Sequence, residues 1–100
     1  MTLDTTLSRA TARVATPKAS QYLQTLCKHF GHRRPVTFDK TAGEIAFDGG
    51  TCRLAAEGEV LTLTVEAADP AERERLQEVI ASHLLRFAFK EQMTVSWTAV

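Results

Sequence analysis

Residues 44–67 read EIAFDGGTCRLAAEGEVLTLTVEA, three runs of alternating apolar and polar residues separated by two short, glycine-containing stretches. Successive side chains of a strand point to opposite faces, so each run predicts a half-buried β-strand. The separators, residues 48–50 and 57–59, are short enough for antiparallel hairpins. This stretch therefore predicts three consecutive antiparallel strands, at residues 44–48, 51–57 and 60–67.

Shorter alternating runs on either side extend the predicted sheet. Residues 8–15 alternate in the same way, and residues 36–39 form a further strand after Pro35. Residues 93–99 are predicted as the last strand, with Met93, Val95 and Trp97 facing the core. The sequence therefore predicts six strands.

Two amphipathic helices are predicted between these strands. The first has Thr16 at its N-cap and Pro17 at its first position, and it ends at Gly31 in a left-handed conformation. The second opens with Asp69 as N-cap and Pro70 at its first position. Their apolar residues recur at helical spacing, which predicts one buried face on each helix. These stripes are Ala19, Tyr22, Leu23, Leu26, Cys27 and Phe30 in the first helix, and Leu76, Val79, Ile80, His83, Leu84 and Phe87 in the second.

The predicted sheet has one apolar and one polar face. An antiparallel sheet that is packed on one side and solvated on the other produces this pattern. Both helices are therefore expected on the apolar face, in a two-layer α+β sandwich with a mainly antiparallel sheet and the order β-α-β-β-β-β-α-β. The apolar face collects Val14, Val36, Phe38, Ile45, Phe47, Cys52, Leu54, Leu61, Leu63, Val65 and Trp97. The polar face collects Arg13, Thr37, Glu44, Asp48, Arg53, Glu57, Thr62, Thr64, Glu66, Thr94, Ser96 and Thr98.

The composition of the chain excludes several classes of protein. Its 100 residues, 44% hydrophobic and 24% charged, fit one globular domain, predicted as residues 8–100 after a flexible leader at residues 1–7. No apolar stretch is long enough to cross a membrane, and the leader lacks the features of a signal peptide, so a cytoplasmic location is expected. Twelve basic and twelve acidic side chains cancel, which argues against nucleic-acid binding.

The neutral total conceals an uneven distribution of charge. Residues 1–40 carry seven basic and two acidic side chains, whereas residues 41–100 carry five and ten. Clustered arginines bind carboxylates and phosphates bidentately, so the densest basic cluster is a candidate anion-binding site. Its alternative role is to complement the negative end of the first helix dipole. This basic cluster comprises Lys28, His29, His32, Arg33 and Arg34.

Four segments together resemble one bacterial family. They are residues 26–32 (LCKHFGH), 50–54 (GTCRL), 61–65 (LTLTV) and 82–91 (SHLLRFAFKE). In this order they are similar to the family called domain of unknown function 2218. The resemblance implies an arrangement similar to the TATA-binding-protein-like fold and no established catalytic residue. Similar domains occur in chains with a flavin-dependent siderophore-interacting reductase, which suggests a link to iron acquisition.

Cys27, Cys52 and His83 form a second, weaker candidate site. All three occupy apolar positions of predicted elements, so they are expected between the sheet and the helices. Thiolate and imidazole are the natural ligands of zinc and also suit iron or copper, and His29 or His32 would add a fourth ligand. The alternative is plain core packing, since cysteine is often buried and a buried histidine is usually hydrogen-bonded.

No catalytic motif is present in the sequence. It contains no Gly-x-Ser-x-Gly elbow, P-loop or Gly-x-Gly-x-x-Gly, so neither an enzyme nor a cofactor is expected. Three functions stay open. They are an accessory module for a small anionic ligand or protein partner in iron–siderophore metabolism, a metal-binding or thiol redox-sensing domain, and a structural or protein-interaction module. The chain is expected to be a monomer or a weak homodimer.

Overall fold

The computed structural model describes residues 7–100, in which six strands form one antiparallel sheet and two helices pack on one of its faces. The strand order is β2-β3-β4-β5-β1-β6, so the first strand lies between the fifth and the last. The predicted two-layer α+β sandwich and its order of elements are confirmed. The elements are β1 (Ser8–Ala15), α1 (Ala19–Gly31), β2 (Val36–Phe38), β3 (Ala42–Phe47), β4 (Gly50–Glu57), β5 (Val60–Ala67), α2 (Pro70–Phe87) and β6 (Thr98–Ala99).

Two tight hairpins fix the register of the central strands. Two-residue loops join β3 to β4 and β4 to β5. Each loop contains a glycine with positive φ, Gly49 at 91° and Gly58 at 59°, a conformation that a side chain disfavours. The resulting register pairs Leu54 with Leu63, and both side chains are buried. The turn chemistry and the hydrophobic pattern therefore specify the same pairing.

The core fills the space between the sheet and the two helices. α1 lies especially close to β3, because a Cβ atom built on Gly43 would be 2.7 Å from Cys27 Sγ and 3.2 Å from Phe38 Cβ. A glycine at this position therefore sets how closely the helix approaches the sheet. The largest fully buried side chains are Leu23, Leu26, Ile45, Leu61, Leu63, Leu76, Ile80 and Leu84.

The ends of α1 differ from the prediction. The helix begins at Ala19, and the hydroxyl of Thr16 accepts the Lys18 N–H at 3.1 Å in the preceding turn without capping the helix. The cause is tertiary: the Thr16 N–H donates to the Glu59 carbonyl at 2.8 Å, which holds this residue against the β4–β5 loop. The left-handed stop at Gly31 was also wrong. Gly31 ends the helix without a positive φ, and the next residue stays right-handed.

The ends of the chain require a second correction. Only Thr98–Ala99 of the predicted strand 93–99 pairs with β1. Met93, Val95 and Trp97 are half-buried against the core, as predicted, while residues 94 and 96 are exposed. Residues 93–97 therefore alternate between half-buried and exposed side chains without forming the backbone hydrogen bonds of a strand. Of the predicted leader, residues 1–6 lie outside the described residues.

The start of α2 confirms the prediction in detail. The Asp69 side chain accepts the Glu72 N–H at 2.8 Å, and Pro70 occupies the first helical turn. Within residues 7–100, neither helix is long and apolar enough to cross a membrane.

The outer face of the sheet is polar but not uniformly exposed. Phe38, predicted on the packed face, lies on the edge strand β2 and is 39% exposed. Glu66, predicted on the solvated face, is only 8% exposed and forms ion pairs with Arg9 and Arg53. The guanidinium groups of two neighbouring strands thus cover this carboxylate.

Candidate anion-binding site

The basic cluster lies where α1 ends and turns toward β2. Phe30 is buried and fixes the last helical turn in the core. The backbone N–H groups of Arg33 and Arg34 both donate to its carbonyl oxygen, at 3.1 and 3.0 Å. This tight turn brings side chains that are adjacent in sequence to one end of the sandwich.

These residues line an open surface pocket of about 270 Å³, and His29, His32 and Arg33 are exposed to solvent. Four of the five predicted anion-binding residues line it, together with the ring of Phe30. Lys28 is exposed and borders a neighbouring groove instead, between α1 and the edge strand β2. The lining residues of the pocket are His29, Phe30, His32, Arg33 and Arg34.

Aromatic rings form one side of this site. The ring centroid of Phe30 lies 5.2 Å from that of Phe47 and 5.0 Å from that of His29, both in edge-to-face geometry. The ring of Phe87 lies 5.6 Å from that of His29. The Arg34 guanidinium lies over the Phe47 ring, 5.0 Å from its centroid, which is within the range of a cation–π contact. The Phe47 ring therefore holds the Arg34 guanidinium beside the pocket.

His83 belongs to this site and not to a cluster with the thiols. Its ring lies 4.9 Å from that of His29 and 4.9 Å from that of Phe30, centroid to centroid. Its Nδ1 lies 2.6 Å from the Val79 carbonyl oxygen, which can only accept a hydrogen bond. The proton of the neutral ring is therefore assigned to Nδ1. All three histidines of the chain thus lie at this end of the sandwich, since His32 also borders the pocket.

The charges around the pocket are mostly positive. Arg34 reaches the exposed Asp48 carboxylate at 4.0 Å, whereas Arg33 forms no ion pair with any residue in the described part of the chain. Loss of solvent lowers the pKa of His29, and the nearby charges of His83, His32 and Arg86 lower it further. Among residues 7–100, the site therefore concentrates positive charge that the one paired acid, Asp48, does not balance.

Cys27 and Cys52 are both fully buried and free of disulfide bonds. Burial raises the pKa of Cys27 to about 11, and burial with the neighbouring Cys27 thiol raises the pKa of Cys52. Both are therefore protonated near neutral pH, whereas metal binding and thiol chemistry use the thiolate. Across residues 7–100, no three His, Cys, Asp or Glu side chains come together as a metal site.

A larger hollow of about 540 Å³ lies on the outer face of the sheet. Its charged lining is mixed, because Glu44 and Asp39 lie there with Arg53. Glu44 and Arg53 face one another across β3 and β4. This hollow therefore lacks the single sign of charge that distinguishes the pocket at the end of α1.

One polar cluster was not predicted from the sequence. The Glu91 carboxylate accepts hydrogen bonds from the buried Tyr22 hydroxyl and, at 3.0 Å, from Thr16 Oγ1. The helical spacing places Tyr22 in the apolar stripe of α1, and no local signal pairs it with a glutamate 69 residues away. The aromatic partners Phe47 and Phe87 of the pocket were likewise predicted only as core residues.

The fold and the site define a small α+β sandwich with a basic, aromatic pocket at one end of its first helix. The family model described as "Uncharacterized protein conserved in bacteria (DUF2218)" matches residues 11–98, and the chain belongs to this family. The chain is also similar to the NMR structure of PA4090 from Pseudomonas aeruginosa, with 32% sequence identity and a TM-score of 0.78. That match covers 91% of this chain and 95% of the other. No curated protein matches the chain.

Proposed function

We propose that this protein is a non-enzymatic module that binds a small anionic ligand in the pocket at the end of α1. The observation that carries the proposal is the lining of this pocket, where two arginines and two histidines surround about 270 Å³ beside aromatic rings. Pockets for small molecules usually start near 300 Å³, so the volume suits a small ligand or one group of a larger ligand.

The two arginines supply the binding energy in this proposal. A guanidinium group presents paired N–H donors that match carboxylate, sulfate and phosphate oxygens. Arg34 is positioned by the Phe47 ring, and Arg33 has no acidic partner among residues 7–100. An anion would therefore accept hydrogen bonds from the pre-positioned guanidinium of Arg34 and from the guanidinium of Arg33, which has no ion pair to break.

The helix dipole opposes an anion at this position. The end of α1 presents carbonyl oxygens, equivalent to a partial negative charge. The Phe30 carbonyl already accepts the Arg33 and Arg34 N–H groups, which reduces this effect. The attraction of the anion to the cations must therefore exceed its repulsion by the remaining helix dipole. The proposal accordingly predicts that losing both arginines abolishes binding.

Thermal unfolding with sulfate, phosphate or citrate tests the proposal. A ligand at about ten times its Kd stabilises the folded state by about 1.4 kcal/mol, which raises the Tm by about 6–11 °C for a domain of this size. We expect this shift in the wild type and its loss in the Arg33→Gln/Arg34→Gln variant. The control Arg13→Gln/Lys18→Gln removes the same charge from exposed positions outside the pocket and should retain the shift. Equal shifts in the two variants, or none in the wild type, would contradict the proposal.

The proposed ligands include ferric complexes of anionic siderophores, an idea that rests on the family resemblance alone. A ferric citrate series beside iron-free citrate tests it, because a specific role requires a larger Tm shift with the iron complex. We further propose a cytoplasmic location, consistent with two free, buried thiols, and a monomer or weak homodimer.

A further inference from the structure

We propose that the pocket couples anion binding to protonation, so that each bound anion is accompanied by uptake of a proton at His29. The inference rests on the proposed anion-binding function and adds its regulation by pH. The affinity for an anion of fixed charge would then rise as the pH falls.

The geometry places His29 between the pocket and the second helix. Its ring lines the pocket with Arg33 and Arg34, and it contacts His83 of α2 at a centroid distance of 4.9 Å. Phe30 and Phe87 flank the same ring at 5.0 and 5.6 Å. A positive charge on this imidazole would therefore attract an anion bound in the pocket.

The groups facing His29 are cationic or apolar from every element around it. The turn after its own helix contributes His32, Arg33 and Arg34, and α2 contributes His83 and Arg86. Asp48 is connected to the site through its ion pair with Arg34. In the part of the chain that the structure describes, no carboxylate forms an ion pair with His29.

This arrangement disfavours the imidazolium form while the pocket lacks an anion. Loss of solvent and the nearby like charges lower the pKa of His29. An anion in the pocket would supply the missing opposite charge and raise that pKa. At a pH between the pKa of His29 in the free protein and its pKa in the anion complex, the free protein is neutral at His29 and the complex is protonated. Binding of the anion therefore takes up a proton.

His83 completes this arrangement. Its Nδ1–H donates to the Val79 carbonyl, so the imidazole is fixed against α2. His83 lies beside His29, and its nearby charge lowers the pKa of the His29 imidazole. Replacing His83 should therefore make His29 easier to protonate and move the response to higher pH.

Titration calorimetry with sulfate tests the coupling. Sulfate stays a dianion throughout the useful range, whereas phosphate itself titrates there. We expect the affinity to increase about tenfold between about pH 8 and about pH 5, since a shift of one pKa unit corresponds to a tenfold change. At the pH of steepest change, buffers of different ionisation enthalpy should report uptake of about half a proton for each sulfate.

Three variants separate this inference from the proposed function. His29→Gln should bind sulfate at all pH values with little pH dependence, and His83→Gln should show the response at higher pH. Ser82→Ala, at an exposed position beside His83, should behave as wild type. Sulfate binding of the wild type that is independent of pH, or an unchanged pH profile in His29→Gln, would overturn the inference alone. Absence of binding at every pH would overturn the proposed function.

Discussion

At the residue scale, Glu91 has the most informative environment. Two hydroxyl groups, from Thr16 and Tyr22, donate to its carboxylate and connect the segment after α2 to the start of α1. The hydrogen bond to Glu91 raises the pKa of Tyr22 to about 12, with burial and the negative charge of Glu91 adding to the effect. Because the folded state holds the proton more tightly, this stabilisation is complete below pH 10 and is lost as the pH rises toward 12.

This environment predicts an unusual titration of the only tyrosine in the chain. The ultraviolet absorbance of the phenolate should appear with a midpoint near pH 12, while circular dichroism confirms that the protein remains folded. Glu91→Gln should lower the midpoint toward 10, because the amide carries no charge. Glu78→Gln, at an exposed position of α2, should leave it unchanged. A wild-type midpoint near 10 in folded protein would contradict the assigned contact.

At the element scale, the close packing of α1 on β3 depends on a residue without a side chain. Cys27 is fully buried and has no room to move away from a Cβ at position 43, which would also crowd Phe38. Crowding in a packed core typically costs about 1–3 kcal/mol. The identity of residue 43 is therefore set by a helix more than ten residues earlier in the chain.

We accordingly expect Gly43→Ala to lower the free energy of unfolding by about 1–3 kcal/mol in a urea titration. Gly31→Ala is the matched control, because its Cβ would lie 3.9 Å from the nearest atom, in Val36, and should change stability by less than about 1 kcal/mol. Cys27→Ala should offset part of the Gly43→Ala cost in a double-mutant cycle. Strictly additive effects would mean that the two positions do not crowd each other.

At the scale of the whole molecule, both thiols lie between the sheet and the helices. Reaching them requires the two layers to separate, because neither side chain is exposed to solvent. Burial also raises the pKa of both groups, which leaves little thiolate at neutral pH. Their reactivity therefore reports the opening of the entire sandwich.

The expected outcome is that a disulfide reagent modifies the native protein at least about a thousandfold more slowly than the urea-unfolded chain, in line with the unfolding equilibrium of small domains. Single-thiol variants, Cys27→Ala and Cys52→Ala, assign the reaction to each position. Rapid modification of either thiol in the folded protein would contradict this expectation and favour the redox-sensing alternative.

The folded molecule also shows where the unevenly distributed charges of the sequence lie. Part of it is internal, since Arg9 of β1 pairs with Glu66 of β5 and Arg34 pairs with Asp48. The remainder gathers around the pocket at the end of α1, where His83 and Arg86 of α2 add to the basic cluster. The neutral total therefore includes one local concentration of positive charge.

The first five strands, the helices and the two-layer architecture were determined by the sequence itself, whereas only residues 98–99 of the last predicted strand pair with the sheet. Alternation and helical spacing are local patterns that sort side chains onto faces, and burial of those faces allows few arrangements. The basic cluster was visible for a similar reason, since Arg33 and Arg34 follow His32 directly along one turn. Residues adjacent in sequence stay adjacent in any fold.

The insertion of β1 between β5 and β6, the approach of His83 to His29 and the contact of Tyr22 with Glu91 were decided only by the tertiary structure. Local patterns place each of these side chains on a face but do not say which distant element it meets. Sheet order and the position of each helix along the sheet settle that choice, because they depend on packing over the whole core. The proposal of a proton-coupled pocket rests on contacts of this kind.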